Sequence, residues 1–289
     1  MAKKYELGLD LNTMSPFKSY FLGLMWADGW ITSSGTECSL SSNDKEIEEI
    51  NNIIYPKQNH PIEIRPSGCK IIHICSKKLV EQLKEFGFIS DKSKNGIPIV
   101  PIGYEKYWIL GLLDGDGCIY QKDGKILRIF FSGNINTLKF VKTYFKTKLS
   151  IEFIEQKANK QDGIINGRIL PNNNICYQLE TKGYNDSLSI INHLYPEAIN
   201  NEIPFYKRKY QKYLDFINLR KDMNECKLCH NEFNRTGSTQ KYCKDCSILL
   251  RRLRNRQQYE FNNCGFMMDL EFLLKPTDKK IDLIELSTL

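Results

Sequence analysis

Apolar residues in this chain fall into short blocks that alternate between a helical and a strand-like spacing. Residues 21–29, FLGLMWADG, are apolar up to an Asp-Gly, and residues 109–117, ILGLLDGDG, nearly repeat them. Read as helices, they place Gly23 and Ala27 on one face and Gly111 and Gly115 on another. A hairpin pattern follows each: GWITSSGTECSLSSND with Ser-Gly in the turn, and GCIYQKDGKILRIFFSGN with Asp-Gly. Each then enters a capped helical stretch. Asn43 or Asp44 opens KEIEEINNII, and Asn134 or Asn136 opens TLKFVKTYF. A second strand pair comes next, IEIR with KIIHICS, then residues 149–157 with ICYQLET. The helices KKLVEQLKEFG (77–87) and SLSIINHLYP (187–196) close the units. Asp28 and Asp116 lie 88 residues apart, and Asn43 and Asn134 lie 91 apart. The pattern predicts an α+β fold of two pseudo-symmetric αββαββα repeats, residues 15–100 and 103–219. A polar insertion at 156–174 in the second repeat reads as an exposed loop or as a DNA-contacting one.

The nonapeptides need a physical reason. Glycine inside a helix costs about 1 kcal/mol relative to alanine. Small residues four apart let two backbones approach, here the two copies packing on each other. Gly29 and Gly117 suit the left-handed residue that ends a helix. Asp28 and Asp116 are unfavourable there, because the C-terminal end of a helix is partly negative. If the helices pair in parallel, the two carboxylates also repel. A divalent cation between them resolves both problems, since hard cations such as Mg²⁺ take carboxylate and carbonyl oxygens. Carboxylates sharing metal ions can stabilise in-line attack on phosphodiesters.

FLGLMWADG and ILGLLDGDG resemble the LAGLIDADG motif of homing endonucleases, and the doubled unit resembles the single-chain members of that family. The resemblance spans roughly residues 15–219. It implies a central interface of the two motif helices, with two curved antiparallel sheets along the major groove of a long double-stranded DNA site. It implies that Asp28 and Asp116 bind Mg²⁺, or another divalent cation such as Mn²⁺, with Gly29 and Gly117 offering backbone carbonyls, and that each half cleaves one strand. Trp26 departs from the acidic residue usual at position six, which Asp114 keeps in the second copy. The resemblance also implies a basic residue near each half-site. Lys92 is the first candidate in FGFISDKSKNG, with Lys94 second; Lys209 is the candidate in NEIPFYKRKYQKY, with Lys207 and Arg208 beside it. Such a lysine could polarise water or stabilise phosphate charge; the other reading is a solvated basic turn. Tyr206, Tyr210 and Tyr213, interleaved with these cations, suit phosphate contact or a helix core face.

Strand alternation nominates base readers. In IEIR, Ile62 and Ile64 share one face and Glu63 and Arg65 the other; Arg128 interrupts KILRIFF; Gln178 and Glu180 alternate with Tyr177 and Leu179. Arg and Gln can make bidentate contacts to guanine and adenine edges. Exposure without DNA contact is the competing reading for each.

The character changes near residue 222. Cys226, Cys229, Cys243 and Cys246 form CxxC, thirteen residues, CxxC, a spacing suited to tetrahedral Zn²⁺ in a small zinc-ribbon-like module over 222–262. Redox-active pairs are the alternative. His230 follows Cys229 directly and is expected to point away from the metal. Leu249, Leu250 and Leu253 are expected to dock on the knuckle, leaving Arg251, Arg252, Arg254 and Arg256 as a DNA-binding cluster or a solvated face. Residues 263–289 alternate acidic and apolar character without an assignable role. Cys38, Cys69, Cys75, Cys118 and Cys176 read as small buried side chains, and Cys264 has no partner by spacing.

The chain has 289 residues and a formal charge of +7, a modest excess compatible with a polyanion partner. No apolar run is long enough for a membrane, and MAKKYELGLD lacks a signal-peptide core, so the expectation is an intracellular, cytoplasmic monomer. The leading expectation is a site-specific, metal-dependent DNA endonuclease. The alternative is a noncleaving or dual-function nucleic-acid binder, such as an intron maturase that also binds RNA or a transcription regulator.

Overall fold

Both nonapeptides end helices, α1 (Pro16–Asp28) and α5 (Glu105–Asp116). The computed structural model describes residues 5–89, 91–158, 163–165, 168–170, 176–223, 225–231, 233 and 240–264. Ser15 caps α1 by accepting from Lys18 N–H, and Pro16 occupies a first-turn position where no N–H is needed. The first repeat continues with β1 (Gly29–Ile31), β2 (Cys38–Ser42), α2 (Ile47–Ile54), β3 (Glu63–Ile64), β4 (Lys70–Ile74), α3 (Lys77–Glu85) and the short α4 (Lys92–Asn95). After α5 come β5 (Gly117–Lys122), β6 (Ile126–Gly133), α6 (Ile135–Leu149), β7 (Phe153–Ala158), β8 (Gly163–Ile165), β9 (Arg168–Leu170), β10 (Cys176–Thr181) and α7 (Tyr184–Asn200). Then follow α8 (Lys207–Met223) and α9 (Lys244–Cys264).

Each repeat builds a four-stranded antiparallel sheet, in the orders β1-β2-β4-β3 and β5-β6-β10-β7. The two orders match, so the architecture is two pseudo-symmetric α+β repeats followed by a cysteine cluster. Leu40, Ile72 and Ile74 bury one face of the first sheet; Ile119, Leu127, Ile129, Phe131 and Leu179 do so in the second. Internal contacts group the chain into two units. One is Met1–Lys122 with Ile126–Leu214; the other is Asp123–Lys125 with Asp215–Leu289.

The glycines of the motif helices are a steric necessity. A Cβ on Gly23 would lie 2.0 Å from the Trp108 carbonyl oxygen, and one on Gly111 would lie 2.1 Å from that of Tyr20. Gly29 and Gly117 are not left-handed as expected. Both are extended, with φ −97° and ψ 163° or 170°, because each helix passes directly into a strand. Glycine is needed there for space: a Cβ would meet Met25 Sδ at 2.6 Å or the Leu113 carbonyl at 2.5 Å.

Other expectations change. α2 begins at Ile47 rather than after Asn43 or Asp44, because Asp44 is bound to Arg208 instead. Asn134 does cap α6, accepting from Thr137 N–H. α7 runs through Pro196 to Asn200, held by buried Leu194, Tyr195 and Ala198. Ile64 is exposed, since β3 is a two-residue edge. Within the insertion, β8 and β9 pair as a hairpin; residues 159–162, 166–167 and 171–175 lie outside the described ones. Among the scattered cysteines with described side chains, only Cys38 is buried. Cys75 and Cys118 are exposed and Cys69 is intermediate, while the side chains of Cys176 and Cys264 lie outside the described residues.

Candidate functional site

Asp28 and Asp116 stand at the ends of the paired helices α1 and α5. The Asp28 carboxylate lies against the facing helix: a Cβ on Gly115 would be 3.0 Å from Asp28 Oδ2. Burial, and then the charge of Asp116, push the Asp28 carboxyl up to about 6, against the pull of Lys209 and Lys92. A half-buried carboxylate with a raised pKa beside a second, exposed one fits a divalent cation.

Two lysines close the helix ends. Lys92, buried at the start of α4, donates from Nζ to the carbonyls of Trp26 (2.5 Å) and Ala27 (3.4 Å). Lys209, in the first turn of α8, donates to Asp114 (2.5 Å) and Gly115 (3.4 Å), the equivalent carbonyls of the second copy. It also reaches Leu113 (2.6 Å) and Gly117 (2.7 Å). The carbonyls of Trp26, Ala27, Asp114 and Gly115 are acceptors a helix leaves open at its C-terminal end, where a cation is favoured; that of Leu113 also accepts from Gly117 N–H. Burial brings Lys92 down to about 8 despite Asp116 and Asp28, and it lowers Lys209 as well. The Gly117 carbonyl, a candidate cation ligand, is thus engaged by Lys209, while Gly29 opens β1 opposite Leu40. Lys94, the second candidate beside Lys92, is exposed.

The other candidate contacts have protein partners. Arg65 pairs with Glu63, Arg128 with Glu180, Lys207 with Glu49, and Arg208 bidentately with Asp44 at 2.6 and 3.0 Å. Gln178 donates to Ser132 Oγ at 3.5 Å. Tyr206 is buried, and Tyr210 stacks on Tyr195, so the aromatics around Lys209 are largely core. Arg251, Arg252 and Arg254 are exposed on α9; the Arg256 side chain lies outside the described residues.

Cys226, Cys229, Cys243 and Cys246 bring their sulfurs within 4.8 Å of one another. Cys229 and Cys243 Sγ are 3.9 Å apart, close to the ~3.8 Å that tetrahedral Zn–S bonds of about 2.3 Å require. Cys243 N–H donates to Cys226 Sγ and Cys246 N–H to Cys243 Sγ. Burial raises the Cys226 thiol, but main-chain donors at Cys229, Cys243 and Leu228 outweigh it and bring it down to about 6. Burial and the neighbouring thiols push Cys246 up. Four thiolates cannot coexist there without a cation, so the cluster can hold a structural metal such as zinc. His230 has φ 58° and its Nδ1 lies 2.6 Å from Glu225, not on the sulfurs. Leu250 is buried, while Leu249 and Leu253 are intermediate. The loop at 234–239 and the tail from 265 lie outside the described residues.

Three residues matter more than their sequence context suggests. Asn134 Nδ2 donates to the carbonyls of Lys92 (2.8 Å) and Gly96 (3.0 Å), tying α4 to α6. Asp44 does the corresponding job for α8 through Arg208. Asp114 is buried and accepts from Tyr20 and Tyr206. The pairing of Asn134 with Asn43 or Asp44 across the repeats was the one available signal.

No protein-family model matches the chain, and no curated protein matches it. Solved structures do. Full-length DUF199/WhiA from Thermatoga maritima is similar at 12% identity, over 88% of this chain and 72% of that one, with a TM-score of 0.49. The I-LtrWI LAGLIDADG homing endonuclease bound to target DNA is similar at 13% identity, over 71% and 91%, with a TM-score of 0.44. The homing endonuclease I-WcaI bound to its DNA recognition sequence gives 11%, 66%, 91% and 0.42. At such identities and scores, nothing those proteins do passes to this chain. Among the described residues no helix is long and apolar enough to cross a membrane.

Proposed function

We propose that this chain is a LAGLIDADG-type protein that binds double-stranded DNA, and that Asp28 and Asp116 hold a divalent cation, Mg²⁺ or Mn²⁺, at the DNA backbone. The observation behind this reading is the carboxylate pair, with Asp28 raised to about 6 by burial and by Asp116. The cation would supply Lewis-acid stabilisation of phosphodiester hydrolysis. The chain's own residues orient that site. Gly23 and Gly111 bring the helices together, and Lys92 and Lys209 fix the last turns that present the carboxylates. Cleavage of one phosphodiester per strand, as in a site-specific endonuclease, is the activity such a pair would serve. Arg251, Arg252 and Arg254 add phosphate contacts, and Zn²⁺ on the four cysteines holds their module together.

A second reading, a noncleaving or dual-function binder such as a maturase or a transcription regulator, is favoured by Lys209. Its ammonium has three donors, and three main-chain carbonyls take them within 2.7 Å. It is therefore committed to structure rather than poised over a phosphate. The first reading needs only DNA binding plus the carboxylates; the second needs DNA binding alone.

The deciding experiment recovers both bound and cut molecules from a randomised duplex pool, with Mg²⁺, with Mn²⁺ and with EDTA. Specific cut ends that vanish in EDTA support the endonuclease. Specific binding with intact DNA under every condition supports the binder. A pool without enrichment would reject DNA recognition altogether.

A further inference from the structure

Position six of the nonapeptide is where the motif helices differ most in chemistry, with Trp26 in α1 and Asp114 in α5. Asp114 is 1% exposed. A carboxylate so deep needs partners. Its Oδ2 accepts from the Tyr206 N–H and from the Tyr20 hydroxyl, each at 2.8 Å. Tyr206 stands immediately before α8, and its carbonyl accepts from Lys209 N–H, so its own N–H is one of the donors a helix leaves open at its start. Lys209 then turns back onto the carbonyls of Leu113, Asp114 and Gly117 where α5 passes into β5. Each helix closes the other's end, and Asp114 takes part in both arms, through its carboxylate and through its carbonyl.

We propose that Asp114 is a positioning residue for the second half of the carboxylate site: by docking the start of α8 it places Lys209 to fix the last turn of α5, and with it Asp116. This rests on Asp28 and Asp116 being the cation site. In the first repeat an aromatic ring takes the corresponding place. Trp26 Nε1 donates to Thr137 Oγ1 at 2.9 Å, and its ring lies against Gly96, where a Cβ would come within 2.9 Å. Lys92 reaches the equivalent carbonyls from α4.

The docking depends on Oδ2 as an acceptor. Oδ1 has no hydrogen-bond partner among the described residues. An amide oxygen could accept the same two bonds, so Asp114→Asn should preserve the clamp and Asp114→Ala should break it.

Two measurements on the full chain test this. The first needs no added cation: a denaturation cycle of Asp114→Ala, Lys209→Met and the double variant. The clamp predicts that the double variant is destabilised little more than the worse single one; additive losses overturn it. The second is Mn²⁺ binding followed by electron paramagnetic resonance, with zinc kept on the cysteines. Asp114→Ala should bind Mn²⁺ about tenfold more weakly, and Asp114→Asn within about threefold of the parent. Tyr195→Phe, which removes a buried hydroxyl without a partner among the described residues, should leave Mn²⁺ binding unchanged and controls for an unrelated change in the core. A folded Asp114→Ala protein with parental Mn²⁺ affinity overturns the proposal. If Asp114→Ala does not fold, a folded Asp114→Asn protein that loses more than tenfold also overturns it, because charge and not docking would then matter. If Asp28→Asn/Asp116→Asn does not weaken Mn²⁺ binding, the cation site itself is wrong, and the denaturation cycle decides the clamp alone.

Discussion

In the first repeat, Lys92 reaches the end of α1 from a four-residue helix; in the second, Lys209 reaches the end of α5 from a seventeen-residue one. The end contacts agree closely. The carbonyls of Trp26 and Asp114 are both 2.5 Å from their lysine, and those of Ala27 and Gly115 both 3.4 Å. The supports differ. Asn134 grips the main chain of α4, whereas Asp44 grips the Arg208 guanidinium of α8. An aromatic ring docks one lysine segment and a carboxylate the other. Two copies of one repeat therefore keep the same helix termination while reaching it by unlike side chains. The physical requirement lies in the open carbonyls and the adjacent carboxylate, not in the identity of what holds the lysine.

The largest expected effect separates the two units rather than the two repeats. Structural zinc supplies roughly 10–16 kcal/mol of apparent folding free energy in small four-ligand modules. Cys243→Ser should therefore unfold the cysteine module and leave the unit containing both repeats folded. Elemental analysis should give one zinc per chain in the parent, and hydrogen exchange should show lost protection confined to residues after 214 in the variant. A fully protected variant, or a zinc-free parent, would break the assignment.

Next come the carboxylates. On the endonuclease reading, Asp28→Asn/Asp116→Asn should lower cleavage by roughly 10³-fold or more while sparing specific binding. Either single substitution should impair one strand or both, and a supercoiled plasmid resolves nicked from linear product. Undiminished linear product from the double variant would sink the mechanism.

The lysines test the comparison itself. Lys209→Met takes the lysine from three close carbonyls, of which that of Leu113 keeps the Gly117 N–H, and should cost roughly 2–3 kcal/mol, while Lys92→Met, with one close carbonyl, should cost about 1 kcal/mol. Urea denaturation measures both; equal losses would mean that the extra contacts of Lys209 add nothing. The glycines should behave alike. Gly23→Ala and Gly111→Ala each place a Cβ about 2 Å from a facing carbonyl that cannot yield, and each should cost about 2–3 kcal/mol. A clear inequality would show that one helix can slide and the other cannot.

Much of this was legible in the chain because it was written locally and twice. The Asp-Gly ends, the small residues four apart and the CxxC pairs each declare themselves within a few residues. What stayed hidden is long-range. Arg208 and Asp44 are 164 residues apart, and Asn134 meets Lys92 across 42. Neither pair has a periodicity to betray it. Strand alternation gives a residue's face, and so put Glu63 beside Arg65, but it does not give the neighbouring strand that brings Glu180 to Arg128. Cys118 is exposed because its neighbour Ile119 takes the inward position, a parity that an apolar context obscures.

The last effect concerns pH. Asp28 is raised from 3.8 to about 6, first by burial and then by Asp116. A carboxyl raised in the folded state stabilises the fold fully below its unfolded pKa, near 4, and loses that contribution as pH rises through about 6. Asp114, raised to about 7, acts in the same direction. Without added cation, Asp28→Asn should therefore gain stability relative to the parent between pH 5 and 8, by at most on the order of 2 kcal/mol, since the group is partly solvated. Asp114→Asn should show the same trend centred about a unit higher. Saturating Mn²⁺ should reverse the order for Asp28, because a bound cation stabilises the charged pair that the amide lacks. Urea denaturation at pH 5, 6, 7 and 8, with and without Mn²⁺, gives the differences directly. A parent-minus-variant difference that is flat in pH would show that the Asp28 carboxyl sits in ordinary solvent. It would also remove the main reason for placing a cation between the two motif ends.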